Sequence, residues 1–372
     1  IFKEYSSLLE DIKGFMNVLE NANTLTELIK DELLETKSKF GDERKTEIIS
    51  FYSDFTDEDL IPEEDLIVTL SKEGYAKTQP LDTYQAQNRG GTVKRAASLK
   101  DEDFVSKLFV ANTHDTLLCF SSYGKVYWIK VYRLPRGGRN AKGRPIVNLL
   151  PLEKDERIQA VLPVKEFNDD QFIFMATETG SVKKTKLSAY SRPMKSGIKA
   201  IKLRDGDRVV NAEITDGTKE IMLFSNSGKS IRFKESDARP MGRVSQGVRG
   251  MRIDKDQKII SLVVLEEGNI LVATENGYGK QTLKDEFSIQ KRGGKGVIAI
   301  QTSNRNGNLI GAKQVSTGDE VMFISTSGNL IRTRTDDISV IGRNTQGVRL
   351  IRLSEDDNLL GMEKVISEDD EG

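Results

Sequence analysis

The sequence is poor in the residues that catalysis and cross-linking need. Its 372 residues include one cysteine, Cys119, and one histidine, His114. A single thiol excludes an internal disulfide framework and any zinc site built from several cysteines. A single imidazole argues against a histidine triad or a histidine metal cluster. Both residues sit in the apolar stretch VANTHDTLLCF and read as packing or turn residues. No apolar run approaches the roughly 20 residues that cross a bilayer, so no membrane partner is expected. Aromatics, at 7%, are too sparse for a platform that stacks single-stranded bases. No signal peptide is visible and the chain opens on Ile1 rather than Met. It reads as a piece of a longer protein from a reducing, cytoplasmic compartment.

Charge and glycine are abundant: 30% of residues are charged and 31 are glycines. The net charge of −1 hides an asymmetry. Residues 1–66 carry a net −11, residues 354–372 a net −7, and the body between them a net +17. A basic body between acidic ends points to a polyanion partner.

Residues 1–41 read as a helical hairpin. Ile1, Tyr5, Leu8, Ile12, Phe15 and Leu19 recur every three or four positions and form one stripe. NAN at 21–23 breaks it, and Thr24 to Glu27 has the spacing of a capping box that would open a second helix. Residues 42–66 read as an acidic linker, 67–366 as one β-rich domain, and 367–372 as an acidic tail. That tail is either solvated or a competitor for the basic body.

From residue 67 the pattern turns to short strands, and it repeats. An apolar strand, Ser or Thr, two residues, a glycine and a second strand recur around Gly74, Gly124, Gly180, Gly228, Gly277 and Gly328, at separations of 50, 56, 48, 49 and 51 residues. A second marker, glycine with basic residues before a strand, follows. Gly143, Gly247, Gly296 and Gly347 each lie 19 residues after their hairpin glycine, and Gly197 lies 17 after. Six units of about fifty residues predict radial repetition, because one sheet alone cannot bury both of its faces.

The fifth unit carries QKRGGKG: Gln290, Lys291, Arg292, Gly293, Gly294, Lys295 and Gly296. Arginine offers a planar fork to phosphate and lysine a mobile point charge. Glycines let backbone N–H groups approach an anion. The first unit holds a partial counterpart in Gln87, Arg89, Gly90 and Gly91, followed by Lys94 and Arg95. Other units add cations expected on a phosphate-facing rim. Arg136, Arg139, Lys142 and Arg144 lie in the second unit, and Lys183, Lys184, Arg192 and Lys195 in the third. Arg232, Lys234, Arg239, Arg243 and Arg249 mark the fourth, and Arg332, Arg334, Arg343 and Arg349 the sixth.

Longer stretches are more specific. ANTHDTLLCFSSYGKVYWIKVYRLP, GRPIVNLLPL, FKESDARPMG and IGRNTQGV resemble the C-terminal domain of the DNA gyrase A family, through most of 67–366. The first forty residues resemble the returning helix of that family's coiled-coil arm. The resemblance implies a mainly β fold, a six-bladed, propeller-like β-pinwheel preceded by an α-helical hairpin, whose blades exchange strands and whose basic rim wraps double-stranded DNA. It implies an intact type IIA topoisomerase in the cytoplasm, at the nucleoid, a heterotetramer in which the partners are a second gyrase A protomer and the gyrase B protein. There the wrap would let ATP-dependent strand passage introduce negative supercoils. Mg and ATP belong to that intact enzyme; no cofactor, metal site or catalytic residue is expected here, since the family's catalytic tyrosine precedes this region. The family's box is Gln-Arg-Arg-Gly-Gly-Lys-Gly. By position its counterpart is the first-unit segment, which keeps Gln87, Arg89, Gly90 and Gly91 only; by chemistry it is 290–296. The rival readings are a topoisomerase IV tail domain acting in decatenation and a propeller scaffold that binds protein rather than DNA. No motif supports an enzyme with a site in a central channel.

Overall fold

The computed structural model describes residues 1–42, 46, 57–71, 74–80, 105–138, 141–327, 330–354 and 357–365. The chain divides into two compact units, Ile1–Thr56 and Asp57–Gly372. The first holds helices α1 (Phe2–Glu20) and α2 (Ala22–Phe40), separated by Asn21 alone. No residue of either helix is buried, so the apolar stripe of α1 is uncovered within this unit. The expected cap at Thr24 is corrected. Asn21 begins the helix instead, its side chain accepting the Asn23 N–H at 3.1 Å. An Asn at the break is as good a cap as Thr, so α2 extends back to it.

The second unit contains six antiparallel sheets among the described residues. The third shows the plan. Its hairpin is Phe172–Thr177 and Ser181–Lys186. Val209–Thr215 pairs with the first hairpin strand and also lies against its counterparts Ile158–Val164 and Ile259–Leu265 in the adjacent sheets. The opposite edge is closed by Val248–Arg249, a two-residue strand delivered from the following unit. Arg144–Pro145, Ile198–Lys199, Val297–Ile298 and Val348–Arg349 do the same for the first, second, fourth and fifth sheets. The sixth sheet has three strands among the described residues. This is the mainly β arrangement that the repeats predict, with the strand exchange that the resemblance implies. Its first strand is Asp65–Ser71.

Local chemistry explains the repeat. In the second hairpin the Gly124 N–H donates to Ser121 O at 3.0 Å, closing a tight turn, and the Lys125 N–H donates to Ser121 Oγ at 3.2 Å. The turn needs positive φ at its glycine, as at Gly228 with φ +78°. The Gly228 carbonyl then accepts N–H groups from Ala299 and Ile300, the residues that follow the exchanged strand. That contact ties the hairpin glycine of one unit to the second marker of the next.

First hairpin strands are largely apolar because each face meets a different neighbour. Ile221 and Leu223 join the core shared with the third sheet, while Met222 and Phe224 join the core shared with the fifth. Five such cores lie between consecutive sheets among the described residues. Cys119 is buried in the first of them. The His114 Nε2–H donates to Ile61 O, 2.9 Å away, in a turn. Both play the packing roles expected of them.

Candidate nucleic-acid interface

The basic loops lead into the exchanged strands. Gly296, at φ +70°, ends the loop of the fifth unit where a Cβ would overlap the Ser230 carbonyl of the fourth sheet. Only glycine lets this loop reach the sheet edge it must close. Consecutive loops are also joined by backbone. The Lys202 N–H donates to Ser245 O at 3.1 Å, Arg252 N–H to Gly294 O at 2.8 Å, and Gln301 N–H to Thr345 O at 2.9 Å. The loops of units three to six therefore make one linked edge.

Within 290–296 the functional groups divide. The Gln290 N–H donates to Arg232 O and the Gly293 N–H to Gly250 O. The Arg292 guanidinium donates to Asp237 O at 2.8 Å and to Arg249 O at 3.0 Å. These groups hold the loop to the protein, so the expected cradle of outward N–H donors is corrected at Gln290 and Gly293. Lys291 and Lys295 are exposed and have no partner among the described residues.

Other expected rim residues fall into three sets. Arg144, Lys195, Arg239, Lys234 and Arg249 have exposed side chains without a partner among the described residues, as does Arg192. Lys199, absent from the expected set, joins them; it shares the second position of the exchanged strand with Arg249 and Arg349. A second set is exposed or half-buried but engaged. Arg136 pairs with Glu64, and Arg332 and Arg334 with Glu320. Lys142 lies over the Tyr75 ring at 4.1 Å. Arg343 donates to Ile298 O at 3.2 Å, and Arg349 to the Tyr278 hydroxyl at 2.9 Å. Hydrogen bonds from Arg305 and Arg349 lower the Tyr278 pKa. Arg243 is half-buried without a side-chain partner among the described residues.

The third set is a correction. Lys183, Lys184 and Arg232 are buried, not on an exposed rim. The Lys183 ammonium donates to Ala200 O at 2.5 Å and to Arg243 O. Lys184 lies 3.5 Å from the Glu235 carboxylate and over the Phe172 ring. Arg232 pairs with Glu220 and donates to the carbonyls of Lys284 and Phe287. All three lie on second hairpin strands, whose side chains are covered by the loop that brings the exchanged strand. Lys77 and Lys280, also absent from the expected set, occupy the Lys183 position in the first and fifth sheets and are equally buried. Burial lowers the pKa of all three, that of Lys183 to about 7 and that of Lys280 to about 8. Gln87, Arg89, Gly90, Gly91, Lys94, Arg95 and Arg139, and the tail 367–372, lie outside the described residues.

The chain matches the family model "DNA gyrase C-terminal domain, beta-propeller" six times, over residues 65–112, 115–165, 171–216, 219–266, 268–316 and 319–366. It is 52% identical to the DNA gyrase A protein of Salmonella typhimurium over 346 residues, 93% of this chain and 39% of that protein. It is 53% identical to the DNA gyrase A protein of Escherichia coli, over 90% of this chain and 38% of that protein. The chain thus spans about two fifths of these relatives. Among solved structures, it is similar to the C-terminal domain of DNA topoisomerase IV, with TM-score 0.72, 28% identity and coverage of 82% and 94% of the two chains. It is also similar to the DNA gyrase A C-terminal domain, with TM-score 0.64, 28% identity and coverage of 82% and 100%.

Proposed function

The chain belongs to the DNA gyrase C-terminal domain family of β-propellers, and from that premise we propose that its six-sheet unit binds duplex DNA by the phosphates and bends it along the linked loops. One observation carries the reading: loops of units three to six are joined by backbone, and each contributes cations that no carboxylate occupies among the described residues. Lys195, Arg249, Lys291 and Lys295 are examples. Bending 20–30 bp by 40–90° costs on the order of 1–6 kcal/mol. Neutralising roughly 6–10 phosphates releases enough counterions to offset that, and makes affinity fall about 10³–10⁵-fold between 50 and 200 mM salt.

The intact enzyme is read as a type IIA topoisomerase at the nucleoid, in which this unit works beside a second gyrase A protomer and the gyrase B protein. Strand passage, ATP and Mg are placed outside this chain, and no catalytic residue is assigned within it. Among the described residues, no three of His, Cys, Asp and Glu are grouped to hold a metal. No described helix is long and apolar enough to cross a membrane.

The test is topology-resolved ligation of nicked circular DNA bound to the chain. A shifted linking number, abolished at high salt, is the expected result; an unshifted distribution at saturating protein overturns the reading. The likeness to the topoisomerase IV domain keeps a decatenating tail as a second reading. Intact enzyme assayed on relaxed and on catenated plasmid separates the two. Supercoiling supports the first reading, and decatenation without supercoiling the second.

A further inference from the structure

Lined up on the hairpin glycines, the third residue after each reads Lys77, Tyr127, Lys183, Ile231, Lys280 and Ile331. The odd sheets carry lysine and the even sheets an apolar or aromatic side chain. In every sheet closed by an exchanged strand, this position lies under the loop that delivers the strand. Lys77 Nζ donates to Gly138 O at 3.2 Å. Lys183 Nζ donates to Arg243 O and to Ala200 O, so it joins the loop of the fourth unit to the segment that closes the second sheet. Lys280 Nζ uses three acceptors: Gly342 O at 2.6 Å, Arg343 O at 2.5 Å and Thr345 Oγ1 at 3.0 Å. An ammonium has three donors, and here they are directed at one turn of the loop.

The even sheets show that the fold does not need this lysine. In the fourth, Ile231 lies beneath the box-like loop, within van der Waals reach of Gly294. In the second, the Tyr127 ring fills the position under Gly197. What the lysine adds is placement. It grips the carbonyls of Arg243 and Arg343, the two arginines that occupy the same loop position as Arg292.

We infer that Lys183 and Lys280 are positioning residues for DNA binding: each holds the backbone from which Arg243 or Arg343 extends, and so sets where that guanidinium meets a phosphate. The inference rests on the DNA-bending reading above. Burying a cation is costly unless its hydrogen bonds are made, so a lysine kept at this position in alternate sheets fits a demand for loop geometry better than a demand for stability.

A double-substitution cycle tests it in the full 372-residue chain. K280M and R343A, separately and together, are assayed for affinity to a duplex long enough to bend and for the dependence of affinity on salt. K183M and R243A form a second cycle. Each lysine variant alone is expected to weaken binding by about 3- to 10-fold and to flatten the salt slope by about one contact. In the background that lacks the arginine, it is expected to do almost nothing. Equal losses in both backgrounds overturn the inference whatever happens to the melting temperature, since a purely structural role predicts additivity. If K280M does not fold, Thr345→Val removes one acceptor and leaves the ammonium; additivity of T345V with R343A overturns the inference equally. Failure of the underlying reading is distinct, because the unsubstituted chain itself then leaves DNA unbent.

Discussion

The loops 290–296 and 340–347 perform the same task with opposite means. Each carries an exchanged strand to the edge of the preceding sheet, and each ends on a glycine at positive φ. The first rests on Ile231 and is fastened by its own Arg292 to the carbonyls of Asp237 and Arg249, while Lys291 and Lys295 are without a partner among the described residues. The second is gripped from beneath by Lys280, while Arg343 and Arg349 are engaged with Ile298 O and the Tyr278 hydroxyl. The first loop carries three cations and leaves two without a partner among the described residues; the second carries one, Arg343, which commits one of its five N–H groups to Ile298 O. The charge on a loop is set by composition, but the charge it can offer a phosphate depends on what secures it.

The comparison can be broken most severely at its shared element. Gly296→Ala forces a Cβ onto the Ser230 carbonyl at a positive φ, and should destabilise the fourth sheet by roughly 2–5 kcal/mol. A melting temperature within about a degree of the unsubstituted chain would refute the close-approach role. Next in size, removing both lysines in K291A/K295A should lower duplex affinity roughly 10- to 100-fold near 0.1 M salt and reduce the salt slope by about two, with melting unchanged. Trimming Arg292 to Ala breaks two carbonyl contacts. It should cost about 1–3 kcal/mol in stability, with a smaller loss of DNA binding than the lysine pair.

A finer contrast uses pH. Folding lowers Lys183 from the ordinary 10.5 to about 7, chiefly by burial, with the nearby Arg243 charge second. Between those values the folded chain binds fewer protons than the unfolded chain, so stability rises with pH across that window. Lys280, lowered to about 8 chiefly by burial, with Glu286 opposing and Arg343 adding to the fall, behaves alike over a narrower range. K183M should lose part of that rise between about pH 7 and pH 9 in melting experiments. The smallest effect is expected for Gly294→Ala. Its nearest neighbour lies at 3.5 Å and its φ is ordinary, so a change within about 0.5 kcal/mol sharpens the contrast with Gly296.

Much of this architecture is legible without coordinates. The hairpin glycines and the second markers announce six units, because turn geometry and close approach admit few other residues at those positions. Exposed cations next to or near glycine, such as Lys291 and Lys195, are recognisable as solvent-facing. Lys183, Lys184 and Arg232 are not, because a cation beside other cations looks like surface. Burial there depends on a loop some sixty residues away in sequence, which no local pattern reveals. The alternation of lysine with Tyr127, Ile231 and Ile331 is the available signal, since a column shared with isoleucine points inward. The start of α2 is ambiguous for a more local reason: two adequate caps, Asn21 and Thr24, lie three residues apart.

Strand exchange also decides where such a chain can be cut. Among the described residues, no sheet but the sixth is contained in its own repeat, so a truncation drawn along sequence boundaries removes a piece of the sheet before it. A chain ended at Asp216 would keep the third family repeat whole and still lose Val248–Arg249. The Ser181–Lys186 strand would then present an unpaired edge, the surface on which β-proteins aggregate. A well-behaved fragment must instead end beyond the next marker glycine and carry with it the closing strand that its last sheet borrows.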